Sequence, residues 1–296
     1  MGDDRFGEKI EITEPLQITE HEVFDVSQHS VRNVFSVLIM ALEVLQNRAD
    51  TACALDAANS LKTSILSYPP NWNSQEISNL LDALDDLYPH IGHYPEAGMI
   101  MKVIKALSLR LSDEIWLFEK REEYKHFSKA DLENDIRWFF NTTSDASCDA
   151  WEVVYGETPP ENGYAIHMEI GEDGLRMPHL FFDLIRDLCA NARKYTNFPG
   201  VIRVVLQQHN DFALIRVEDT GCGIPENEIG KVVNYGYRAK NVLNKPTHGG
   251  GMGLTKAYFF TKKMKGHFWI ASKIGSGTAI EIQIPSPNLA EPVERG

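Results

Sequence analysis

Apolar positions in the first part of the chain follow a helical pattern. Between about residues 23 and 46 they recur at alternating spacings of three and four, and further apolar residues widen the stripe. A second helical stripe runs from about Ile77 to Phe118, after a turn signal at residues 68–71. A stripe this wide needs cover on more than one side, which one hairpin cannot supply. We therefore expect an N-terminal helical hairpin that dimerises as a four-helix bundle.

The C-terminal part mixes strand and helix patterns. Two β-hairpins are predicted, one from runs 201–208 and 212–218, the other from runs 266–274 and 278–284. Helices are predicted at about 178–196 and 252–265. Paired strands with helices favour an α/β sandwich, in which helices cover one face of a mixed sheet.

The predicted fold class is therefore α+β, with two domains. Residues 1–22 are predicted to be a tail or linker, 23–127 a helical dimerisation domain, 128–288 the sandwich domain, and 289–296 a tail. Residues 141–165 give no pattern that we can interpret.

Composition narrows the class of protein. The 296 residues are 43% hydrophobic and carry a net charge of −13, which disfavours a nucleic-acid partner. The N-terminus is acidic and lacks the apolar run of a signal peptide, and no stretch suits a membrane span. The four cysteines lie far apart and form no C-x-x-C pair, which indicates reduced thiols. We expect a cytoplasmic protein.

Three segments of the C-terminal half carry candidate chemistry. Asp187, Asn191 and Lys194 share one helix face, where they suit a hydrated Mg²⁺ and phosphate oxygens. Asp219 ends a strand before Gly-x-Gly, so its carboxylate is placed to accept a hydrogen bond from an adenine amino group. Residues 249–253 place four glycines before a helix, whose first N–H groups bind anions.

Each segment also has a plain structural explanation when it is taken alone. The explanations are a solvated helix face, a tight turn and a flexible linker. The glycine segment matches neither the Walker A pattern nor the dinucleotide-binding fingerprint.

In this order and at these spacings, the segments resemble the ATP-binding domain of the histidine kinase, gyrase, heat-shock-90 and MutL superfamily. Sensor histidine kinases are the most similar members. Residues 191–196 resemble their N box, 219–225 their G1 box, 249–254 their G2 box, and 275–278 their final glycine-threonine turn. The resemblance covers about residues 130–286 and implies ATP and Mg²⁺ as cofactors.

The resemblance also implies residue roles. Asn191 would hold Mg²⁺, Lys194 would touch the phosphates, Tyr195 would line the base or sugar, and Asp219 would bind the adenine amino group. Many related kinases have Asn and related hydrolases have Glu at position 187, so Asp187 leaves phosphoryl transfer and hydrolysis both open. The other implied nucleotide-binding residues are Gly221, Gly223, Ile224, Arg238, Gly249, Gly250, Gly251, Met252, Gly253, Leu254 and Thr278.

A lid over the nucleotide is implied as well. It would be a mobile segment from about residue 232 to residue 248. Arg238, Lys240 and Lys245 lie in this segment and are available to offset phosphate charge.

A histidine kinase also needs a histidine that accepts the phosphate. His29 is the best candidate, because residues 29–35 resemble the family's H box and because His29 follows the inward slot at Gln28 and so faces outward. Many family members have an acid directly after this histidine, whereas this chain has Ser30. Asp25 lies one helical turn earlier and is placed to orient the ring instead. His21 is a second candidate, and a chain without an acceptor is the third reading.

The resemblance implies a two-component histidine protein kinase. It would act as a homodimer, autophosphorylate His29 with Mg-ATP, and pass the phosphate to an aspartate of a separate response regulator receiver domain. Only about 22 residues precede the bundle, so either the chain is a fragment or a separate sensor protein supplies the signal.

Two alternatives remain open. The first is a serine/threonine kinase or ATPase of the same superfamily. The second is a non-catalytic or degenerate nucleotide-binding dimer that regulates a partner or transfers phosphate.

Overall fold

The structure is a computed structural model, which describes a little over half of the chain. The described residues are 4–15, 39–40, 42–47, 55–56, 58–60, 62–63, 124–144 (142–144 as backbone), 151–178, 180–244 and 253–286. The chain divides into two compact units. One joins Met1–Thr19 to Glu123–Gly296, and the other spans Glu20–Glu122.

The described residues of the Glu20–Glu122 unit are helical. Leu42, Leu45 and Ala58 are fully buried, and the Lys62 ammonium lies 2.7 Å from a carboxylate oxygen of Glu43. The segments around residues 45 and 60 therefore contact each other. The four-helix bundle and its dimerisation stay predictions, and His21 and His29 lie outside the described residues.

A seven-stranded mixed sheet forms the base of the other unit. Its strand order is β1-β8-β9-β7-β6-β4-β3, and a separate ribbon pairs β2 with β5. The strands are β1 (Ile10–Glu11), β2 (Tyr124–Phe127), β3 (Glu152–Tyr155), β4 (Gly163–Ile170), β5 (Leu175–Pro178), β6 (Gly200–Gln208), β7 (Phe212–Asp219), β8 (His267–Lys273) and β9 (Gly277–Pro285).

The pairing between neighbouring strands changes from parallel to antiparallel at β6. β3, β4 and β6 run parallel, whereas β6–β7, β7–β9, β9–β8 and β8–β1 are antiparallel. The two predicted hairpins are confirmed as β6–β7 and β8–β9. The parallel strands β3 and β4 and the helix before them fall largely in or beside the segment that gave no clear sequence pattern.

Three helices pack on the sheet: α1 (Lys129–Ser144), α2 (Leu180–Tyr195) and α3 (Gly253–Lys263). Both α2 and α3 match predicted helices. Alternate residues of β7, namely Ala213, Ile215 and Val217, are buried, as period-two strand geometry requires. The mixed sheet with packed helices is therefore as predicted.

An ion-pair group joins α1 to α2. The Arg186 guanidinium pairs with both carboxylate oxygens of Asp135 on α1, and its Nη1 lies 3.3 Å from Asp183 Oδ1 on α2. Both aspartates are buried. Loss of Arg186 would leave two buried carboxylates without their cation, so this residue fixes the position of α1.

Residues 4–15, for which the sequence predicts a tail or linker, instead pack on the sheet. β1 pairs with the edge strand β8, and Phe6 is buried against Ala271 and Ala279. Ile12 is also buried. These apolar residues stand among acids without periodicity, so nothing in the local pattern signals their burial.

No helix among the described residues is long and apolar enough to cross a membrane.

We expect Phe6→Ala to destabilise this unit by about 3 kcal/mol, because it empties a fully buried aromatic site. The measurement is urea unfolding of the full chain followed by tryptophan fluorescence. Ile274→Ala is the control, since Ile274 is 59% exposed and its loss should cost less than about 1 kcal/mol. Equal unfolding midpoints for Phe6→Ala and wild type would show that residues 4–15 do not dock stably.

Candidate functional site

A cleft opens between α2, the end of β7 and the start of α3. It holds about 810 Å³ of empty space, open solvent at the mouth included. Its walls are mainly apolar with a few polar groups. The lining residues are Leu188, Asn191, Ala192, Tyr195, Val217, Asp219, Cys222, Gly223, Ile224, Val232, Tyr237, Arg238, Ala239, Val242, Gly253, Leu254, Thr278 and Ile280.

Asp219 brings a carboxylate to this cleft at the last position of β7. Asp219 is 8% exposed, and the Gly221 backbone N–H donates a hydrogen bond to its Oδ1 atom at 2.7 Å. Burial raises the pKa of Asp219 to about 7, although hydrogen bonds from the Gly221 and Thr278 backbones and the charge of Arg5 act in the opposite direction. A buried carboxylate with remaining acceptor capacity suits a ligand that donates hydrogen bonds.

The turn after Asp219 fits closely against its neighbours. A Cβ atom on Gly221 would lie 2.5 Å from the Tyr195 carbonyl oxygen and 2.6 Å from Asp219 Oδ1, so only glycine fits here. Gly223 has a φ of +69°, which favours glycine as well. The Cys222 N–H donates to the Tyr195 carbonyl at 3.1 Å, so the turn is tied to the end of α2.

The start of α3 lies beside α2. A Cβ atom on Gly253 would come within 3.2 Å of Asn191 Nδ2 and 3.5 Å of the Asp187 Cβ atom. Asn191 and Asp187 are one helical turn apart on α2. Both side chains therefore lie close to the first residue of α3, the helix end at which the partial charge is positive.

Two cationic side chains, those of Lys194 and Arg238, lie close to Tyr195 in the wall of the cleft. The Lys194 ammonium lies 5.3 Å from the centre of the Tyr195 ring. Burial, and then the nearby charge of Arg238, lower the pKa of Lys194. Burial raises the pKa of Tyr195, while the charge of Arg238 and a hydrogen bond from it act in the opposite direction. Two cations that repel each other in one place suit a polyanionic ligand.

The structure brings most of the predicted nucleotide-binding residues together. Asn191, Tyr195, Asp219, Gly223, Ile224, Arg238, Gly253, Leu254 and Thr278 line the cleft. Asp187, Lys194 and Gly221 are not part of the lining, but each lies close to a residue that is. Gly249, Gly250, Gly251 and Met252 lie outside the described residues, as does Lys245.

Lys240 has a different setting from Arg238. Its backbone N–H donates to Glu228 at 2.9 Å, and its ammonium, in a side chain that is 80% exposed, lies 4.0 Å from the same carboxylate. It does not line the cleft.

Sequence reasoning missed the apolar wall of the cleft. Leu188 and Ala192 fall within the predicted helix at about 178–196, and Val217 and Ile280 fall within predicted strand runs. Their period in the sequence is that of ordinary core residues, so no local signal separates them from the rest of the core. Cys222 and Tyr237 were not selected either, although Cys222 lies inside the glycine turn that was.

Part of the chain matches the model of a known protein family. Residues 178–288 match the family described as histidine kinase-, DNA gyrase B-, and HSP90-like ATPase. This range begins at the end of β5, ends just after β9, and includes every residue that lines the cleft. Residues 178–288 are therefore similar to the ATPase domain of this family, and the cleft lies within the matched range.

Curated relatives are sensor kinases. The sensor histidine kinase RppB of Synechocystis sp. is 34% identical over 104 residues, which are 35% of this chain and 23% of that protein. The aerobic respiration control sensor protein ArcB of Escherichia coli is 32% identical over 123 residues, 41% of this chain and 15% of that protein. The chain thus spans less than a quarter of the length of either relative.

A solved structure is similar as well. The catalytic domain of the histidine kinase ThkA aligns with a TM-score of 0.43 and 17% identity, over 56% of this chain and 97% of that one.

We expect Asp219→Asn to stabilise the protein at alkaline pH. The folded-state pKa of about 7 lies above the usual 3.8, so the folded domain keeps a proton that the unfolded chain releases. The stability due to this group is complete below about pH 4 and falls by about 4 kcal/mol as the pH rises through 7. The amide of Asp219→Asn does not ionise and avoids that loss. In urea unfolding, the free energy of unfolding should therefore exceed that of wild type by about 1–3 kcal/mol at pH 8, and by less at pH 5.

Glu226→Gln is the matched control for this experiment, because it removes an exposed carboxylate from the same region. The interpretation of Asp219 fails if the two variants show the same pH dependence of stability.

We expect Gly221→Ala to weaken ATP binding about tenfold or more, since the new methyl group displaces the Asp219 carboxylate or the Tyr195 backbone. Calorimetric titration with ATP measures the change. Gly156→Ala, where a Cβ meets nothing within 4 Å, should bind ATP as wild type does. Unchanged affinity in Gly221→Ala would contradict the assigned geometry of the turn.

Proposed function

We propose that this protein is a two-component histidine protein kinase, which autophosphorylates His29 with Mg-ATP. The observation that carries the proposal is the buried carboxylate of Asp219 in a cleft that also gathers Asn191, Arg238 and the start of α3. The relatives RppB and ArcB, named as sensor proteins, support the kinase assignment.

The two ends of the cleft suit the two ends of ATP. The Asp219 carboxylate accepts a hydrogen bond from the adenine amino group, between the apolar residues Val217 and Ile280. The triphosphate extends towards Lys194 and Arg238 and the N-terminus of α3, where cations and backbone N–H groups offset its charge. Closure of the segment at about 232–248 over the nucleotide would exclude water from the phosphates.

Asn191 is the residue we propose to hold Mg²⁺. Its amide oxygen is a hard ligand at the start of α3, and Asp187, one turn away, supplies a further carboxylate near the same place. This donor set fits a cation that keeps several waters and is shared with phosphate oxygens. The ion would offset negative charge on the β- and γ-phosphates.

The acceptor is the neutral imidazole of His29. One ring nitrogen attacks the γ-phosphorus, the new N–P bond forms as the bond from the γ-phosphorus to the bridging oxygen breaks, and ADP leaves. The resulting phosphoramidate then passes its phosphoryl group to an aspartate of a separate receiver domain. Rate depends mainly on positioning and on charge neutralisation.

The remaining parts of the proposal concern the whole protein. They are homodimerisation through the helical unit, a cytoplasmic location, and a signal that reaches the kinase from a further sensor region or protein.

The test is incubation of the full chain with Mg²⁺ and γ-labelled ATP, followed by acid and alkali treatment of the labelled protein. We expect label that is lost in acid, kept in alkali, and abolished in His29→Gln, because a phosphoramidate hydrolyses in acid. His21→Gln is the matched control and should be labelled as wild type is. Asp219→Ala should lose label together with ATP binding.

Other outcomes would change the assignment. Label that survives in His29→Gln but not in His21→Gln moves the acceptor to His21. ATP binding without any label, in a protein mixed with purified receiver domains, would favour a regulatory module.

A second candidate function, an ATPase or serine/threonine kinase, rests on Asp187. This carboxylate lies near the start of α3, a place from which it can activate water or a hydroxyl group. Release of free phosphate, or acid-stable label, that is lost in Asp187→Asn but kept in His29→Gln would support it.

A further inference from the structure

The face of the sheet opposite the cleft carries a chain of ion pairs. Arg216 on β7 donates from Nε to Glu218 Oε1 at 2.6 Å and from Nη1 to Glu281 Oε2 at 3.2 Å. Arg5 Nη2 lies 3.3 Å from Glu218 Oε2, and Lys9 Nζ lies 2.6 Å from Glu281 Oε1. Two buried carboxylates thus alternate with three cations.

Two of these three cations come from residues 4–15. Without them, Glu218 and Glu281, which are 5% and 7% exposed, would share the single guanidinium of Arg216. A buried carboxylate that lacks a cation raises the energy of every negative charge close to it. Residues 4–15 therefore supply positive charge that offsets the two buried glutamates on the face of the sheet opposite the cleft.

Asp219 is the negatively charged residue nearest to Glu218 along the chain. It follows Glu218 directly, and the two side chains leave β7 on opposite faces of the sheet. Arg5, Glu218 and Asp219 line one open cavity, which holds about 690 Å³ of empty space with open solvent included, together with Glu157, His167, Val201 and Arg203. From the cleft side, Arg238 is the charged residue that lines the same wall as Asp219.

We propose that Arg5 is a positioning residue for nucleotide binding: by pairing with Glu218 behind the sheet, it keeps the Asp219 carboxylate ionised and in place for adenine. This inference rests on the proposed adenine contact of Asp219. The charge of Arg5 lowers the pKa of Asp219 while that of Glu218 raises it, which agrees with the geometry. Lys9 is not among the groups that act on Asp219.

This difference between Arg5 and Lys9 gives a matched pair of variants. Both residues lie on the same docked segment, and each pairs with a buried glutamate, but only Arg5 pairs next to Asp219. Arg5→Gln and Lys9→Gln remove the same charge and should weaken docking of the segment to a similar degree. A purely structural role would therefore affect both variants alike.

The experiment measures ATP affinity of the full chain from pH 6 to pH 8.5 at low salt. Wild type should bind ATP more weakly as the pH falls through the range in which Asp219 takes up a proton. In Arg5→Gln we expect this midpoint to rise by about half a pH unit, which is about threefold weaker binding at pH 6, with little change at pH 8.5. Arg5→Lys should restore the wild-type midpoint, and Lys9→Gln should retain it.

Histidine side chains also titrate in this range, so the series is repeated with His167→Gln as background. The Arg5 effect should persist there and should shrink in high salt, because Arg5 is partly exposed.

The outcomes separate this inference from the proposed function. An Arg5→Gln curve that coincides with wild type, or a Lys9→Gln curve that shifts equally, overturns the role of Arg5 while ATP binding stands. A wild-type protein that binds no ATP at any pH overturns the proposed function itself, and the role of Arg5 with it.

Discussion

The hydrogen bond from the Gly221 backbone N–H to the Asp219 carboxylate holds the turn around which the cleft is built. Three further hydrogen bonds connect that turn to its surroundings. The Cys222 N–H binds the Tyr195 carbonyl at the end of α2, the Gly275 N–H binds the Cys222 carbonyl, and the Ile224 N–H binds Ser272 Oγ on β8. A single turn therefore sets the distances between α2, the end of β7 and the β8–β9 hairpin.

The same carboxylate destabilises the folded unit when it is ionised, because it is buried. A group whose pKa rises to about 7 on folding is easier to accommodate protonated than ionised, yet the ionised form would be the better acceptor in the proposed adenine contact. The Gly221 and Thr278 backbone donors and the charge of Arg5 reduce this conflict without removing it. Such tension between stability and binding is typical of functional sites.

The unit that contains the sheet is assembled from two distant parts of the chain. Residues 4–15 extend the sheet at β8 and place Arg5 and Lys9 over buried glutamates, whereas the rest of the unit begins after residue 122. Further bonds strengthen this docking, since the Tyr258 hydroxyl donates to the carbonyl of Glu14 at 2.6 Å. The chain thus leaves this unit, forms the unit spanning Glu20–Glu122, and returns.

The sequence alone determined what is local. Alternation along β6 to β7 and β8 to β9 predicted both hairpins, and helical periodicity predicted α2 and α3. These elements are set by side-chain pattern and backbone geometry within a few residues of each other. The resemblance of separate motifs to a known family implied that Asn191, Asp219 and Thr278 belong to one nucleotide site.

Only the tertiary structure decided the rest. It placed Phe6 in the core and Arg5 behind Asp219, because pairing across more than 200 residues leaves no period in the sequence. It also placed Val217 and Ile280 in the wall of the cleft, whereas other strand residues with the same local pattern lie in the core. Burial and charge balance depend on which distant segments meet, and this is a property of the packed fold rather than of any one segment.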